Sequence, residues 1–481
     1  TECDRFAPQI RPFSFAICIM VAAILFGSIG ISAYSGHDAD VIDKTVHKYA
    51  PVGASVAIIE HGEIKEIRNY GYANRHEKKK VTDETRFKIA SISKTVTAYG
   101  IMQLVEQGKL DLDAPVNAYL TKWKIPESEY GEDRVTLRML LSHTAGVTGS
   151  NEYGYSNPLP TIDEALKMHD VRLKRKPGEK FEYSEFTDYG ICQLVIEEVT
   201  GMPFEEYMEK EIFDPLGMNQ TDYANETNAK GELAIPYAGL SKATNVVPIV
   251  MNGGGGVTTT SHDLALFEIA LMKYYKDGCG EMFQEQKNTK SAGGTYALGI
   301  IPRYLQDGRT VYEHNGTLTG WNAQLAIEPE SQNGIAVVSN SDKAYYMTYD
   351  LMEVWSKKEL GECVSDSLMK QIQNVFRLIT CILLAFMLLF GMIFIKNILQ
   401  KHYSLQKGLL KKVISVLLFV IITGMDMIIF YTDLPGKIAW KMKNYYLFTF
   451  FPTDFGAVQV IAVILFAMLL IRMNLKKNVN R

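Results

Sequence analysis

The chain has 481 residues, of which 47% are hydrophobic, and its formal net charge is −4. This length accommodates one large domain together with additional segments. The 50 basic residues nearly balance the 54 acidic ones, so the composition excludes the strongly basic character expected of a nucleic-acid-binding protein.

The first apolar stretch runs from Phe13 to Tyr34 without a charged residue, and it is long enough to span a bilayer. With about 22 residues it exceeds the apolar core of a typical secretory signal. We therefore favour a retained membrane anchor within residues 1–36. A cleaved signal peptide is the alternative, because the small residues Ser32, Ala33 and Ser35 lie at the end of the stretch.

Residues 37–370 have the mixed polarity of a water-facing domain. The segment SVAIIEHGEIKEIRNYGYA alternates apolar and polar residues around His61-Gly62 and predicts a β-hairpin. Strands are also predicted near the other end of the domain, in YEHNGTLTG, WNAQLAIEPE and NGIAVVSNS. Helical patterns lie in between, at Thr95–Gln107, Ile162–His169, Tyr189–Thr200 and Phe204–Phe213. This order predicts an α/β domain whose two ends meet in one antiparallel sheet.

The segment FKIASISKTVTAYGIMQLVEQGKL places Ser91 and Lys94 three residues apart, at the start of a predicted amphipathic helix. Because three residues make nearly one turn, the two side chains share a face. A serine is a nucleophile only beside a base, and a lysine is a base only if its pKa is lowered. The spacing alone is weak evidence, since Ser367–Lys370 and Ser404–Lys407 repeat it. Taken alone, it is more typical of a helix start with a solvated lysine.

Five segments carry more information than this spacing: FKIASISKTVTA, LRMLLSHTAGV, KPGEKFEYSEFTDYGICQLVIEEVTGMPFEEYMEKEIFDPLGM, GGGGVTTTSHDLALF and EHNGTLTGWNAQLAIEPE. Together they resemble the serine β-lactamase and penicillin-binding-protein superfamily, in particular its class C β-lactamase and D-peptidase branch. The resemblance covers about residues 45–345. It implies an antiparallel sheet flanked by helices, plus an all-helical subdomain.

The resemblance also implies a role for individual residues. Ser91 would be the acylated nucleophile, Lys94 its general base or proton-relay partner, and Tyr183 the group that passes a proton to the leaving amine. His314-Asn315-Gly316 would replace the Lys-Thr-Gly strand motif of the superfamily as part of the substrate-binding site. The main-chain N–H groups of Ser91 and Thr317 would form the oxyanion hole.

Two sequence features bear on the role of Tyr183, a second tyrosine motif and the acidic residue Glu185. Tyr155-Ser156-Asn157 spells the superfamily's Tyr-Ser-Asn motif, but no helix follows it, whereas a predicted helix follows Tyr183. Glu185 stands where the motif has Asn, and a carboxylate cannot donate a hydrogen bond unless it is protonated. Glu185 would either pair with Lys94 and hold it cationic or bind a substrate N–H or amine. We expect it to shift specificity away from ordinary β-lactams.

Other polar positions are interpreted as structural. His143 in LLSHTAG matches a motif of the helical subdomain, and the resemblance makes glycines 253–256 a close-packed turn near the site. No His, Cys or carboxylate spacing suits a metal ion, so neither a metal nor a cofactor is expected. Cys279 and Cys363 lie in polar, loop-like contexts, so a disulfide between them is an option in an extracellular domain.

Three apolar stretches follow, at Val375–Ile395, Val413–Tyr431 and Phe455–Ile471, and they predict a three-helix transmembrane domain within residues 374–472. The lysine-rich loop between the first two and the basic tail over residues 473–481 should face the cytoplasm. That orientation places the soluble domain outside the bacterial cell membrane. A peptidase domain followed by three spans resembles the prodrug-activating peptidases of antibiotic and colibactin-type biosynthesis, which remove an N-acyl-D-asparagine cap.

The resulting hypothesis is a membrane-anchored serine peptidase or amidase that cleaves D-amino-acid-containing amides through an acyl-enzyme. Its partners would be a small peptide or acyl-D-amino-acid substrate and the lipid bilayer, with no nucleic acid, and the spans offer a surface for homo-oligomerisation. A D-Ala-D-Ala peptidase is a close variant, and a β-lactamase is the neighbouring enzymatic alternative. A receptor that is acylated once by a β-lactam or a peptide is the alternative from a different class.

Overall fold

A computed structural model describes residues 40–149, 155, 158–224, 230–239, 241–291, 293–365, 367–400, 403–405, 408–431 and 454–477. The chain divides into two compact units. The larger comprises Asp40–Val46 and Pro51–Met369, and the smaller includes His47–Ala50 and the described residues from Lys370 onward. The predicted anchor within residues 1–36 lies outside the described residues, and so do Ser156 and Asn157 of the Tyr155-Ser156-Asn157 motif.

The larger unit contains strands β1 (Gly53–Glu60), β2 (Glu63–Asn74), β3 (Lys79–Lys80), β4 (Phe87–Lys88), β5 (Tyr237–Ala238), β6 (Lys242–Ala243), β7 (Thr258–Thr259), β8 (Ile301–Tyr304), β9 (Thr310–Leu318), β10 (Trp321–Glu328) and β11 (Asn333–Ser339). Helix α1 (Val41–Tyr49) begins in this unit and ends in the smaller one. The other helices of the larger unit are α2 (Ile92–Glu106), α3 (Leu137–Leu141), α4 (Ile162–Met168), α5 (Thr187–Thr200), α6 (Phe204–Met208), α7 (Asn252–Gly255), α8 (Ser261–Lys276) and α9 (Tyr345–Glu359). A π-helical turn, Glu209–Phe213, continues α6. Single 3-10 turns lie at Val116–Ala118, Glu132–Arg134, Gly280–Phe283 and Asp342–Ala344.

Seven strands form one antiparallel sheet in the order β3-β2-β1-β11-β10-β9-β8. The predicted hairpin is confirmed, and its turn residues His61 and Gly62 both have positive φ, as a two-residue type I′ turn requires. Strand β1 pairs with β11, with Val56 opposite Val337. The two ends of the unit therefore meet in the sheet, as the sequence predicted.

Helices cover both faces of this sheet. Glu268 of α8 approaches Gly334 on one face, whereas Met352 of α9 contacts Gln324 on the other. Strands β10 and β11 are buried along their whole length as a result. The α/β class and the flanked antiparallel sheet are confirmed.

Helix α2 differs from its prediction, because it is buried on most sides rather than amphipathic. It contacts strand β9 and helices α5 and α7. Its polar residues are accommodated by bonds to main-chain groups: Thr95 Oγ1 donates to Gly299 O at 2.6 Å, and Thr97 Oγ1 donates to Gly253 O at 2.9 Å. A helix through the core needs such internal partners, since unpaired buried hydroxyls are costly.

The smaller unit contains helices α10 (Ser367–Leu399), α11 (Leu409–Tyr431) and α12 (Asp454–Met473), with a short antiparallel pair of strands, β12 (Tyr403–Leu405) and β13 (Leu475–Lys477). Among the described residues, two helices are long and apolar enough to cross a membrane, Leu368–Leu399 and Phe455–Met473. Helix α11, the predicted middle span of the three, is not one of them. The predicted three-helix bundle is thus reduced to two candidate spans.

The proposed disulfide is absent, since Cys279 and Cys363 are both free thiols. Cys279 follows α8, whereas Cys363 follows α9. Cys192 is a free, fully buried residue of α5, in agreement with its apolar sequence context.

Candidate active site

Ser91 lies at a sharp turn between strand β4 and helix α2. Ala90 has a φ of +49°, unusual for a residue with a side chain, and Ser91 already has helical angles of −62° and −13°. The turn is fixed from outside, because Ile89 N donates to Val257 O at 3.1 Å and Val257 N donates to Ser93 Oγ at 3.0 Å. Such strained positions persist only where the surroundings enforce them.

Lys94 is fully buried, and its amine is held by three oxygen atoms. Lys94 Nζ donates to the main-chain oxygen of Glu185 at 2.5 Å and to that of Gly254 at 2.8 Å. The third contact is Ser91 Oγ at 3.2 Å. Two carbonyl acceptors occupy the two hydrogens of a neutral amine, so its lone pair is left facing the Ser91 hydroxyl.

The electrostatic surroundings favour that neutral form. Burial lowers the pKa of Lys94 to about 7, and this effect exceeds the opposite influence of the carboxyl groups of Glu185 and Asp188. Desolvation penalises the charged form of a group. Near neutral pH the amine therefore exists in both forms, as a general base must.

Tyr183 lies on the other side of the serine. Its ring centroid is 5.0 Å from Lys94 Nζ, and Ser91 is close enough to influence the pKa of the phenol. Burial of the hydroxyl end raises the pKa of Tyr183 well above its ordinary value, although 38% of the residue surface is exposed. The structure thus brings Ser91, Lys94 and Tyr183 together, and the tyrosine is protonated at neutral pH.

Strand β9 closes the site beside the serine. A Cβ atom on Gly316 would lie 2.0 Å from the main-chain oxygen of Ile89 and 3.3 Å from the main-chain nitrogen of Ser91. Only glycine allows so close an approach of two backbones. The contact puts β9, and with it Thr317, next to the nitrogen expected to form half of the oxyanion hole.

His314 is buried on the same face of β9 as Gly316. Its Nδ1 lies 2.7 Å from the main-chain oxygen of Asn315, and its Nε2 lies 2.8 Å from the hydroxyl of Tyr296. A carbonyl oxygen can only accept, so Nδ1 carries the hydrogen and Nε2 accepts from the phenol. Burial, followed by the charge of Lys94, lowers the pKa of His314 to about 3, so the ring is neutral.

The side chain of Asn315 points away from the site. Its Nδ2 donates to Thr348 Oγ1 at 2.9 Å, and its Oδ1 accepts from Thr317 Oγ1 at 3.0 Å. Residues alternate across a strand, so His314 faces the serine whereas Asn315 and the Thr317 side chain face helix α9. The expectation that Asn315 contacts the substrate does not fit this arrangement, and Thr317 has only its main chain available.

Glu185 reaches Lys94 through its backbone and not through its carboxylate. The side chain is exposed, and no described residue forms a hydrogen bond or ion pair with it. Of the two roles considered for Glu185, an ion pair with Lys94 is therefore not observed, and binding of a substrate N–H or amine stays a prediction. The carboxylate remains available at the edge of the site, next to the nucleophile.

A model of the family described as Beta-lactamase matches residues 39–355 of the chain. The chain belongs to the Beta-lactamase family. This agrees with the superfamily resemblance and with a site assembled from the Ser91, Tyr183 and His314 segments.

Individual relatives of this Beta-lactamase-family chain are distant. PbpX of Bacillus subtilis (strain 168), named as a penicillin-binding protein, is 29% identical over 290 residues, which is 59% of this chain and 69% of PbpX. The chain spans 62–69% of the length of the first curated relatives that it matches.

Solved structures share the fold. The octameric penicillin-binding protein homologue from Pyrococcus abyssi is 26% identical, with a TM-score of 0.58 over 70% of this chain and 80% of that one. The D-amino acid amidase from Ochrobactrum anthropi SV3 is 22% identical, with a TM-score of 0.54 over 66% of this chain and 96% of the amidase. At that identity the amidase shows a common fold and nothing more.

Several site residues of this Beta-lactamase-family chain were not singled out from the sequence. Gly254 was expected only as part of a close-packed turn near the site; its main-chain oxygen accepts from Lys94, and a Cβ on it would lie 2.9 Å from Phe186 Cα. Tyr296 holds His314 but stands in GGTYALG, which carries no recognisable motif. Asp188 lies within the quoted TDYG segment, where an acidic residue in the first turn of a helix looks like ordinary capping. Within the described ranges, no group of three or more His, Cys, Asp or Glu could hold a metal ion.

Proposed function

We propose that this chain hydrolyses amide bonds through an acyl-enzyme on Ser91, with Lys94 as general base and Tyr183 as proton relay. One observation carries the proposal: a fully buried lysine amine, 3.2 Å from a serine hydroxyl, whose other two contacts are carbonyl oxygens. Such an amine is prepared to accept the serine proton. A surface Ser–Lys pair of the same spacing would have neither the desolvation nor the fixed acceptors.

In the acylation step, neutral Lys94 takes the proton of Ser91 Oγ while the oxygen attacks the carbonyl carbon of the substrate. The C–N bond then breaks, and the leaving amine receives a proton passed from Lys94 through the Tyr183 phenol. Because the raised pKa keeps the phenol protonated, Tyr183 acts as a relay and Lys94 as the base. A water molecule then cleaves the ester, which restores the Ser91 hydroxyl and releases the carboxylic acid.

The negative oxygen that develops on the carbonyl needs donors at fixed positions. The N–H groups of Ser91 and Thr317 are proposed for this role, supported by the approach of Gly316 to the Ser91 nitrogen. Ser91 N also lies at the start of helix α2, where the helix dipole favours negative charge. Both contributions are independent of the substrate side chain.

The charges around the serine indicate the substrate class. The superfamily motif has a lysine where this chain has the neutral His314, so residue 314 supplies no fixed cation for a substrate carboxylate. The exposed carboxylate of Glu185 stands at the edge instead. We therefore propose amides that carry an ammonium group near the scissile bond, such as D-amino acid amides.

Helices α10 and α12 support a membrane-bound form of the enzyme. In this proposal, the larger unit lies on the extracytoplasmic side of a bacterial membrane, where the substrate would be a delivered peptide or acyl-D-amino-acid precursor. The exposed thiol of Cys363 offers a test. A membrane-impermeant maleimide should label it in intact spheroplasts, and Cys363→Ser should remove that labelling. Labelling only after lysis would show the opposite orientation.

Homo-oligomerisation is suggested by the octameric Pyrococcus abyssi relative. Cross-linking of the same membranes tests it.

Intact-mass spectrometry of the full chain provides the test of activity. Wild type, Ser91→Ala and Tyr183→Phe are incubated with D-amino acid amides, a D-Ala-D-Ala peptide and benzylpenicillin. Ser404→Ala is the control, because it removes a serine of the same Ser-x-x-Lys spacing. We expect turnover of the amides by wild type and by Ser404→Ala, none by Ser91→Ala, and a loss of about 10²-fold or more in Tyr183→Phe.

The outcomes separate the candidate functions. Product formation with a transient adduct on Ser91 indicates an amidase. A persistent adduct without product indicates a receptor, and rapid hydrolysis of benzylpenicillin indicates a β-lactamase. Turnover that survives Ser91→Ala would refute the proposed mechanism.

A further inference from the structure

Behind Tyr183 lies a buried pair of titratable side chains to which the proposed mechanism gives no role. His143 Nδ1 is 2.8 Å from Asp188 Oδ2, and the two side chains are 0% and 3% exposed. The main-chain N–H of Ser184 also points at His143 Nδ1, at 3.2 Å. Two different groups therefore converge on a single ring nitrogen.

The geometry assigns the proton. A main-chain N–H can only donate, so His143 Nδ1 acts as an acceptor and carries no hydrogen. A carboxylate at 2.8 Å would then present lone pairs to a lone pair, which is repulsive. The contact is a hydrogen bond only if Asp188 Oδ2 bears the proton and donates it to Nδ1. The imidazole is then the neutral tautomer with its hydrogen on Nε2.

We infer that Asp188 works as a neutral carboxylic acid that donates to His143, and that this uncharged pair positions Tyr183 and keeps a second negative charge away from Lys94. The inference rests on the proposed function, since it concerns the base and the relay of the same site. It assigns a role to an acidic residue without making that residue an acid or base of the reaction.

Burial agrees with this assignment. It raises the pKa of Asp188 to about 8, and it holds the pKa of His143 well below its ordinary value, with the charge of Lys94 acting in the same direction. An ion pair enclosed on all sides would cost more in desolvation than it returns. The groups that act on the pair from neighbouring segments are Lys94, Lys174, Arg175, Glu182, Tyr183, Tyr189 and Tyr296.

The effect on Lys94 follows from charge. A carboxylate at residue 188 raises the pKa of Lys94, and a lysine held as a cation cannot accept the Ser91 proton. A neutral Asp188 removes this influence. The pair therefore satisfies Asp188 Oδ2 and His143 Nδ1 without favouring the cationic form of Lys94, whereas His143 Nε2 has no hydrogen-bond partner among the described residues.

The effect on Tyr183 is one of position. The His143 ring lies 4.5 Å from the Tyr183 ring, centroid to centroid, and the His143 carbonyl accepts from Glu182 N at 2.9 Å. His143 has a φ of +57°, a left-handed conformation. The ring and the backbone of one residue thus hold the segment on both sides of Tyr183. His143 and Asp188 are positioning residues, and neither is proposed to touch the substrate.

Two substitutions show whether Asp188 acts as a neutral hydrogen-bond donor or as a charged carboxylate. Asp188→Ala removes the donor, and we expect kcat/KM for a D-amino acid amide to fall at least about tenfold at pH 7. Asp188→Asn keeps the shape and a donor but cannot ionise, so it should recover most of that loss. It should also remove or displace an alkaline fall in activity near pH 8. Equal losses in both variants would show that the charge is needed and overturn the inference.

A measurement without turnover separates this inference from the proposed function. Infrared difference spectra of the full chain should contain the carbonyl stretch of a protonated carboxyl group at pH 6. The band should disappear in Asp188→Asn and on titration through about pH 8 in wild type and Ser91→Ala. Glu268→Gln is the control, because burial also raises the pKa of the Glu268 carboxyl well above its ordinary value. Only carboxylate bands for residue 188 at pH 6 would refute the assignment, whatever the activity. If Asp188→Asn does not fold, the wild-type titration alone decides.

Discussion

Gly316 of strand β9 lies so close to Ile89 that a Cβ atom on the glycine would stand 2.0 Å from the Ile89 main-chain oxygen. This contact joins the two parts of the site, because Ile89 precedes the serine turn and Gly316 precedes Thr317. The distance between the proposed oxyanion donors depends on it. A side chain at residue 316 must separate the strand from the turn.

Gly316→Ala should therefore lower kcat for amide hydrolysis by about 10²-fold, the effect of losing one oxyanion donor. The overall fold should remain, since the displacement is local to one end of β9. Gly280→Ala is the matched control, because nothing lies within 4 Å of its Cβ position. Steady-state kinetics of the two variants make the comparison, and an active Gly316→Ala enzyme would contradict the proposed oxyanion site.

The pH dependence of acylation should report Lys94. Since burial lowers its pKa to about 7 and only the neutral amine accepts a proton, kcat/KM should rise as the pH passes through about 7. In wild type this rise precedes the alkaline fall near pH 8 expected from Asp188, so the acid limb is the part of the profile that reports Lys94. Lys94→Arg should abolish activity at every pH, because arginine does not lose its proton in proteins.

Lys88 provides the control for this profile. It is a second fully buried lysine, and burial lowers its pKa to about 7 as well. Lys88→Met should leave the acid limb of the profile in place, since the hydrogen bonds of Lys88 Nζ to described residues go to the carbonyls of Ala224 and Gly256, both at 3.4 Å, and not to Ser91. Loss of the limb in this variant would remove the assignment to Lys94.

Glu185→Gln should change which substrates are accepted. Without the exposed carboxylate, kcat/KM for a D-amino acid amide with a free ammonium group should fall by about fivefold, the scale of one exposed charge pair. The N-acetylated substrate should be unaffected. Glu182→Gln is the control, because Glu182 is already paired with Lys174 and Arg175. An equal change in kcat/KM for both substrates would mean that Glu185 does not distinguish a charged from a neutral substrate.

Much of the fold followed from local patterns in the sequence. Alternating residues around His61-Gly62 and in the last three strands predicted the sheet, and helix α5 was expected at Tyr189–Thr200 and begins at Thr187. Helix α2 was expected to be amphipathic, and it is not. Its polar residues Thr95 and Thr97 bond to Gly299 and Gly253, which lie more than 150 residues away in sequence, so no local period could indicate their burial.

Sequence motifs predicted only part of the candidate site. The structure brings Ser91, Lys94 and Tyr183 together as the resemblance implied. Asn315 was included because its neighbours belong to a strand motif, but strand alternation turns it toward Thr348. Pairing with Lys94 was one of two roles considered for the Glu185 carboxylate, whereas the backbone carbonyl of Glu185 makes that contact. Which atom of a residue makes a contact depends on the tertiary path of the chain, and a motif records only the residue type.

A stability prediction concerns the residue just before His314. Glu313 is 1% exposed and is held by Arg303 Nη2 at 2.7 Å, with Gln324 Nε2 at 2.9 Å from its other oxygen. Arg303→Ala leaves this carboxylate buried without its cation, so unfolding of the full chain should become easier by about 3–5 kcal/mol. Lys273→Ala, which removes an exposed pair with Asp277, should change stability by less than about 1 kcal/mol. Similar changes in Tm for Arg303→Ala and Lys273→Ala would contradict the prediction that the buried ion pair contributes more to stability than the exposed one.

The last prediction concerns how stability changes with pH. The folded chain keeps a proton on Asp188 up to about pH 8, whereas the unfolded chain releases it near the ordinary value of 3.8. The folded state therefore binds more protons between these values, and its stabilisation by this group is complete at low pH and is lost as the pH rises. His143 acts in the opposite direction, because its pKa is lowered on folding, but a low-pH histidine effect is common to wild type and Asp188→Asn. The Tm of wild type minus that of Asp188→Asn should accordingly fall from pH 5 to pH 8, with Ser91→Ala following wild type. A constant difference over this range would mean that Asp188 is already ionised in the folded chain.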